Sequence, residues 1–221
     1  MKKLTLILTI LILFVSLTPS ANVSAEIPGG EFESTMRLQN MGTDVANVTY
    51  TFYDSAGIDV YNASTTIAVG DVLIVYIPSL SGLASGEYSV VVSSSQPLAS
   101  LSDLNDEDSG AAYTGFDQGS TSWYVPGLYD NYHSYYSSVT AQNTSTSEVD
   151  ITLEIFEEAN STPIYTNTKS NVPSYASVTW DQKDVTELLV DEPYSGVITA
   201  TGEVVAIVNL YGSDDGINPQ D

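Results

Sequence analysis

The chain has 221 residues, 43% of them hydrophobic, with 28 acidic side chains against 5 basic ones, a formal charge of −23 and no cysteine. A field of that sign repels DNA, RNA and anionic lipid, so nucleic acid is excluded as a partner. The missing thiols exclude disulfides, thiol catalysis and thiolate metal sites, while fifteen tyrosines and the apolar content argue against a disordered chain.

At the N-terminus Lys2 and Lys3 precede an apolar stretch from Leu4 to Leu17, which Pro19 ends. Small residues follow at Val23-Ser24-Ala25, so residues 1–25 read as a cleaved secretory signal peptide. The stretch is shorter than the ~20 apolar residues a spanning helix needs, and no later run approaches that length. The expectation is a mature chain from residue 26, extracellular or at the cell surface, with no membrane span and only Arg37, Lys169 and Lys183 as basic side chains.

The next feature is an internal duplication. Setting residues 35–57 over residues 138–160 without a gap places Leu38-Gln39-Asn40 on Ala141-Gln142-Asn143. The same setting places Val48-Thr49-Tyr50-Thr51-Phe52 on Ile151-Thr152-Leu153-Glu154-Ile155. Two equivalent units in tandem follow from a shared register. In the first, Val48, Tyr50 and Phe52 alternate with Asn47, Thr49, Thr51 and Tyr53, which marks a strand with one buried and one wet face. Further strands are predicted at 35–40, 58–62, 65–68, 72–77, 87–94 and 97–103. Thr, Val, Ile and Tyr dominate them, as a pleated surface prefers.

Residues 105–121 are acidic and rich in Gly and Ser, and read as a linker between a first unit over 26–104 and a second over 122–221. The second unit opens on an aromatic stretch with Trp123, Tyr124, Tyr129, Tyr132, Tyr135 and Tyr136. Its strands are predicted at 138–143, 163–168, 170–173, 176–181, 194–201 and 203–211, with Ile151, Leu153 and Ile155 inward between them. One helix is predicted from Asp184 to Asp191, capped by Asp184, where the first unit has a plain loop. The run Val204-Val205-Ala206-Ile207-Val208-Asn209-Leu210 is apolar on both faces, so it requires cover from the aromatic stretch or from another molecule.

Short strands with a turn signal every 8–12 residues predict an all-β chain of two tandem β-sandwich domains. The Gln-Asn turn after the first strand and the alternating second strand make each unit resemble immunoglobulin-like or fibronectin-like modules of exported prokaryotic surface proteins. That resemblance implies a stalk, adhesion or assembly role and supplies no catalytic residue. The paired cysteines of antibody domains are missing, and Trp180 lies late in the second unit without a first-unit equivalent.

Calcium is the one cofactor the sequence suggests. Asp103-Leu104-Asn105-Asp106-Glu107-Asp108 places oxygen ligands at Asp103, Asn105, Asp106 and Asp108 just past the last strand of the first unit. The run resembles the calcium-binding linker of cadherins, departing from it where Glu107 replaces Asn, and Asp214-Asp215-Gly216 follows the last strand of the second unit. For a ligand surface the candidates are Trp123, Tyr124, Tyr129 and Tyr132, whose flat faces suit sugar rings or a protein partner; the other reading packs them between the sandwiches.

His133 is the sole histidine, and no Gly-x-Ser-x-Gly elbow accompanies it, so neither a histidine metal cluster nor a serine triad is expected. Adjacent Glu157 and Glu158 read as turn chemistry. Asn47, Asn62, Asn143 and Asn160 each head an Asn-x-Ser/Thr sequon. The functional expectation is a non-enzymatic, secreted or surface protein acting by adhesion or assembly. Its partner would be a surface protein or a glycan, or further copies of itself through strand addition by residues 26–34.

Overall fold

A computed structural model describes residues 33–105 and 110–212; the signal-peptide expectation for 1–25 lies outside the described residues. The fold is all-β and antiparallel throughout. In the first half β1 (Glu33–Asn40), β2 (Ala46–Tyr53), β3 (Asp59–Ile67), β4 (Val72–Tyr76), β5 (Ser89–Ser94), β6 (Leu98–Asn105) and β7 (Gly110–Thr114) form two sheets, ordered β4-β1-β6-β7 and β3-β2-β5. Their inner faces share one core containing Met36, Leu38, Val48, Tyr50, Phe52 and Val75.

The second half repeats the plan with β8 (Ser120–Tyr129), β9 (Tyr135–Asn143), β10 (Val149–Phe156), β11 (Tyr165–Val172), β12 (Ser177–Asp181) and β13 (Pro193–Gly212). Here a separate core gathers Val139, Ala141, Ile151, Leu153, Ile155, Trp180 and Ile198. The strand β13 serves both layers: Ser195 to Ala200 pairs with β10 and Val204 to Gly212 pairs with β9. In the first half the same path is broken into β5 and β6 around Pro97, which cannot donate to a ladder.

The predicted alternation is seen directly. Ala46, Val48, Tyr50 and Phe52 are buried while Asn47 and Thr49 are exposed, and Ile151, Leu153 and Ile155 are all fully buried. Several predicted boundaries move. The strand pairs expected at 58–62 and 65–68, and at 163–168 and 170–173, are the single strands β3 and β11. Residues 110–114, expected within the linker, form β7 against β6. The predicted helix from Asp184 is instead a short 3-10 turn at Gln182–Asp184, where Asp181 accepts from the backbone N–H of Lys183. The first half carries a matching 3-10 turn at Ile77–Ser79, so this is a feature of the repeat. Val185 and Leu188 are buried as anchors of the loop that follows.

The paired Gln-Asn motif also finds its reason. The Asn40 side-chain amide donates to the carbonyls of Asp44 (2.8 Å) and Ile67 (3.0 Å) and accepts from Gly42 N–H (2.9 Å). Asn143 does the same with Ser147 (2.8 Å), Val172 (3.0 Å) and Ser145 N–H (2.8 Å). Both are buried, and each ties the turn after the repeat's first strand to the end of its third. A glycan on the Asn143 sequon is incompatible with that burial, whereas Asn47, Asn62 and Asn160 are exposed.

Candidate functional site

The duplication supplies an internal control: wherever one copy holds polar residues, the architecture does not require the other to be apolar. Register equates Val72, Ile74 and Tyr76 on β4 with Ser177, Thr179 and Asp181 on β12. In the second copy those positions are polar, and Thr179 shares a hydroxyl hydrogen bond of 2.9 Å with Thr140 on β9. In the first copy Val72, Ile74 and Tyr76 all point outward and are 49%, 62% and 42% exposed. Ile74 lies opposite Arg37, and Arg37 opposite Leu101, so an apolar residue flanks the guanidinium on either side.

This outer face is held in shape by charge. Arg37 pairs with Asp103 two residues along β6 from Leu101. The Tyr76 hydroxyl hydrogen-bonds to Glu33, which is the main reason its pKa is raised. The result is a firm sheet surface carrying aliphatic side chains, a tyrosine and an arginine, the residue types that favour protein interfaces.

That pairing bears on the calcium expectation. Asp103 is engaged by Arg37, and the Asn105 side-chain amide donates to Asp103 at 3.3 Å. Asp106 and Asp108, and Asp214-Asp215-Gly216, lie outside the described residues. Among the described residues no group of three or more His, Asp or Glu side chains is arranged to hold a metal ion.

The aromatic stretch divides. Trp123 is half-buried; its indole N–H donates to the Val204 carbonyl at 2.7 Å and its ring meets Phe116 edge-on. It serves to dock β8 onto β13. Tyr129 and Tyr132 stack on each other with ring centres 5.0 Å apart, and Tyr136 stacks on Tyr211. Tyr135 pairs with Tyr132 across a tight turn in which His133 and Ser134 adopt positive φ, as does Asn131 just before it. His133 stands exposed at that turn, its ring against Tyr132 and its backbone N–H on Asp191. Tyr124 alone presents its ring to solvent, at 83% exposure, over a shallow groove lined also by Pro126, Phe156, Glu157, Glu158 and Asn160.

The Tyr136–Tyr211 pair is tied to the mostly buried side chain of Asp181. The Tyr211 hydroxyl donates to Asp181, and burial, followed by that carboxylate, pushes its pKa well above the usual tyrosine range. Burial, and then the nearby charge of Asp181, raises the Asp130 carboxyl as well.

The outer face of β4 escaped the sequence reading because Val72, Ile74 and Tyr76 look like any half-buried strand. The usable signal was the comparison of the two copies at those positions. Comparison of the chain with protein-family models, with curated proteins and with solved structures found no match in any of the three. No helix among the described residues is long and apolar enough to cross a membrane.

Proposed function

We propose that this is an exported, non-enzymatic surface protein that binds a protein partner through the outer face of β4, β1 and β6. One observation carries the reading: Val72, Ile74 and Tyr76 are apolar and exposed where the sister copy holds Ser177, Thr179 and Asp181. Exposing them loses hydrophobic stabilisation that the fold has no need to forgo, so their use lies outside the chain. The leader-like segment before residue 26 supports an exterior location, and the tandem plan supports the stalk or adhesion role that the immunoglobulin-like resemblance implies.

The copies also dictate the test. Val72→Ser, Ile74→Thr and Tyr76→Asp install what the second copy already tolerates. In a host that exports the protein, this triple variant is expected to abolish cell adhesion or aggregation while its thermal midpoint stays within a few degrees of the parent. Adhesion unchanged in the triple variant sinks the reading.

A second reading rests on Tyr124. Its exposed ring beside Glu157, Glu158 and Asn160 is a platform on which a sugar ring stacks while carboxylates take its hydroxyls. Glycan-array binding that disappears with Tyr124→Ala supports it. An array without binding removes it.

A further inference from the structure

Each sheet of the repeat has a place for an edge strand, and the two halves fill those places differently. In the first half β7 closes the free side of β6. In the second half β8 closes the free side of the N-terminal part of β13, touching the C-terminal part only where Ser120 meets Val204. Among the described residues, no strand pairs with the free side of β13 from Val205 to Gly212.

Backbone geometry shows which groups that side offers. Thr144 donates to the Glu203 carbonyl at 3.0 Å, so Val205, Ile207, Asn209 and Tyr211 turn their backbone groups toward β9. The alternate residues Ala206, Val208 and Leu210 turn theirs outward. The Val204 carbonyl, first in that outward series, is the one taken by the Trp123 indole. In the first half Ser100 holds the position of Ala206, and there it accepts from the Gly115 N–H at 3.3 Å, continuing the β7 ladder.

Edge strands exposed to solvent are ordinarily defended by charge, proline or a bulge. This one has none: Val204 to Gly212 contains no charged residue and no proline, in a chain of net charge −23. Two acidic copies can therefore meet along it without setting charged side chains of the strand against one another.

We propose that the free side of β13 pairs antiparallel with β13 of a second copy, giving a two-fold dimer whose sheet runs through both molecules. Centring the axis on Val208 sets Val208 opposite its own counterpart and Ala206 opposite Leu210, so that all three residues both donate and accept. An isologous strand pair of this kind closes the edge of both protomers at once. The pairing is independent of the β4 face, which lies in the other half of the chain.

The test uses protein purified after export from an expression host. Sedimentation equilibrium is expected to show a monomer–dimer equilibrium, and Leu210→Pro, which removes an outward N–H but no bond to β9, is expected to weaken dimerisation by roughly tenfold or more. Leu210→Ala, which keeps the N–H, is expected to remain dimeric. Amide exchange at Ala206, Val208 and Leu210 supplies a readout that does not depend on a variant folding: protection at these three sites should rise with protein concentration. A protein that stays monomeric at millimolar concentration overturns the proposal, as does a dimer indifferent to Leu210→Pro. Concentration-independent protection that vanishes on removing residues 213–221 also overturns it, in favour of the chain's own tail.

Discussion

Asn143 bonds to the carbonyls of Ser147, Val172 and Pro173 and to the Ser145 N–H from a fully buried position. Alanine there removes all four bonds at once and leaves the Val172 carbonyl without this donor in the interior. Asn143→Ala is expected to cost roughly 2–4 kcal/mol, and Asn40→Ala a similar amount, measured by urea unfolding with each half followed separately. Asp130 makes the opposite case. Burial and the charge of Asp181 raise its folded-state pKa, so the folded chain holds that proton more tightly than the unfolded one. Stability from this group is therefore present at low pH and lost as pH rises from the ordinary aspartate value through the raised one. Asp130→Asn should melt higher than the parent at pH 7, with the advantage gone below about pH 4, where an ordinary aspartate is itself protonated. Equal melting of the two proteins at neutral pH contradicts this.

At the scale of elements, the two halves differ in how an edge is closed. Gly196 lets β8 lie close on β13: a Cβ there would stand 2.7 Å from Val125 Cγ2 and 2.9 Å from Leu128 Cδ1, with the Glu154 carbonyl at 3.2 Å behind it. Gly196→Val should cost roughly 1–3 kcal/mol and free the β8 amides to exchange before those of β9 and β10. Uniform exchange across all three strands would show that β8 is not a separately docked element. The first half has its own added strand, β7, on the other sheet. A strand of small residues, Gly110-Ala111-Ala112 followed by Tyr113 and Thr114, carries little of the aliphatic pattern by which strands announce themselves, and it sits inside an acidic Gly/Ser stretch that reads as linker. The predicted Asp184 helix fails for a related reason. A favourable cap and a few helix formers give too little for a turn that packing of Val185 and Leu188 fixes otherwise.

Taken whole, the molecule is two small cores joined under a large negative charge. The halves touch where the Ser89 hydroxyl donates to the Tyr175 carbonyl and where the rings of Tyr53 and Tyr175 meet, 4.8 Å between centres. Repulsion among 28 acidic side chains opposes this compactness, and salt screens it over a Debye length of about 10 Å at 0.1 M. The thermal midpoint should climb as sodium chloride is raised from about 10 mM to about 500 mM, and a dimer formed through an uncharged edge should tighten over the same range. A midpoint that falls with salt would mean that specific ion pairs such as Arg37–Asp103 outweigh the general repulsion.

The duplication, the two-residue periodicity and the all-β class were legible in the chain itself, because a strand with one wet face writes its burial directly into alternate positions. So was the Gln-Asn motif as a repeated turn, though not its role as a buried clasp. What tertiary structure alone decided is which strand lies beside which: that β7 closes one sheet and β8 the other, that Trp123 docks a strand while its neighbour Tyr124 faces solvent, and that Asp103 answers to Arg37. Pairing across a sheet joins residues far apart in sequence through backbone groups that every residue shares, so no local pattern of side chains encodes it.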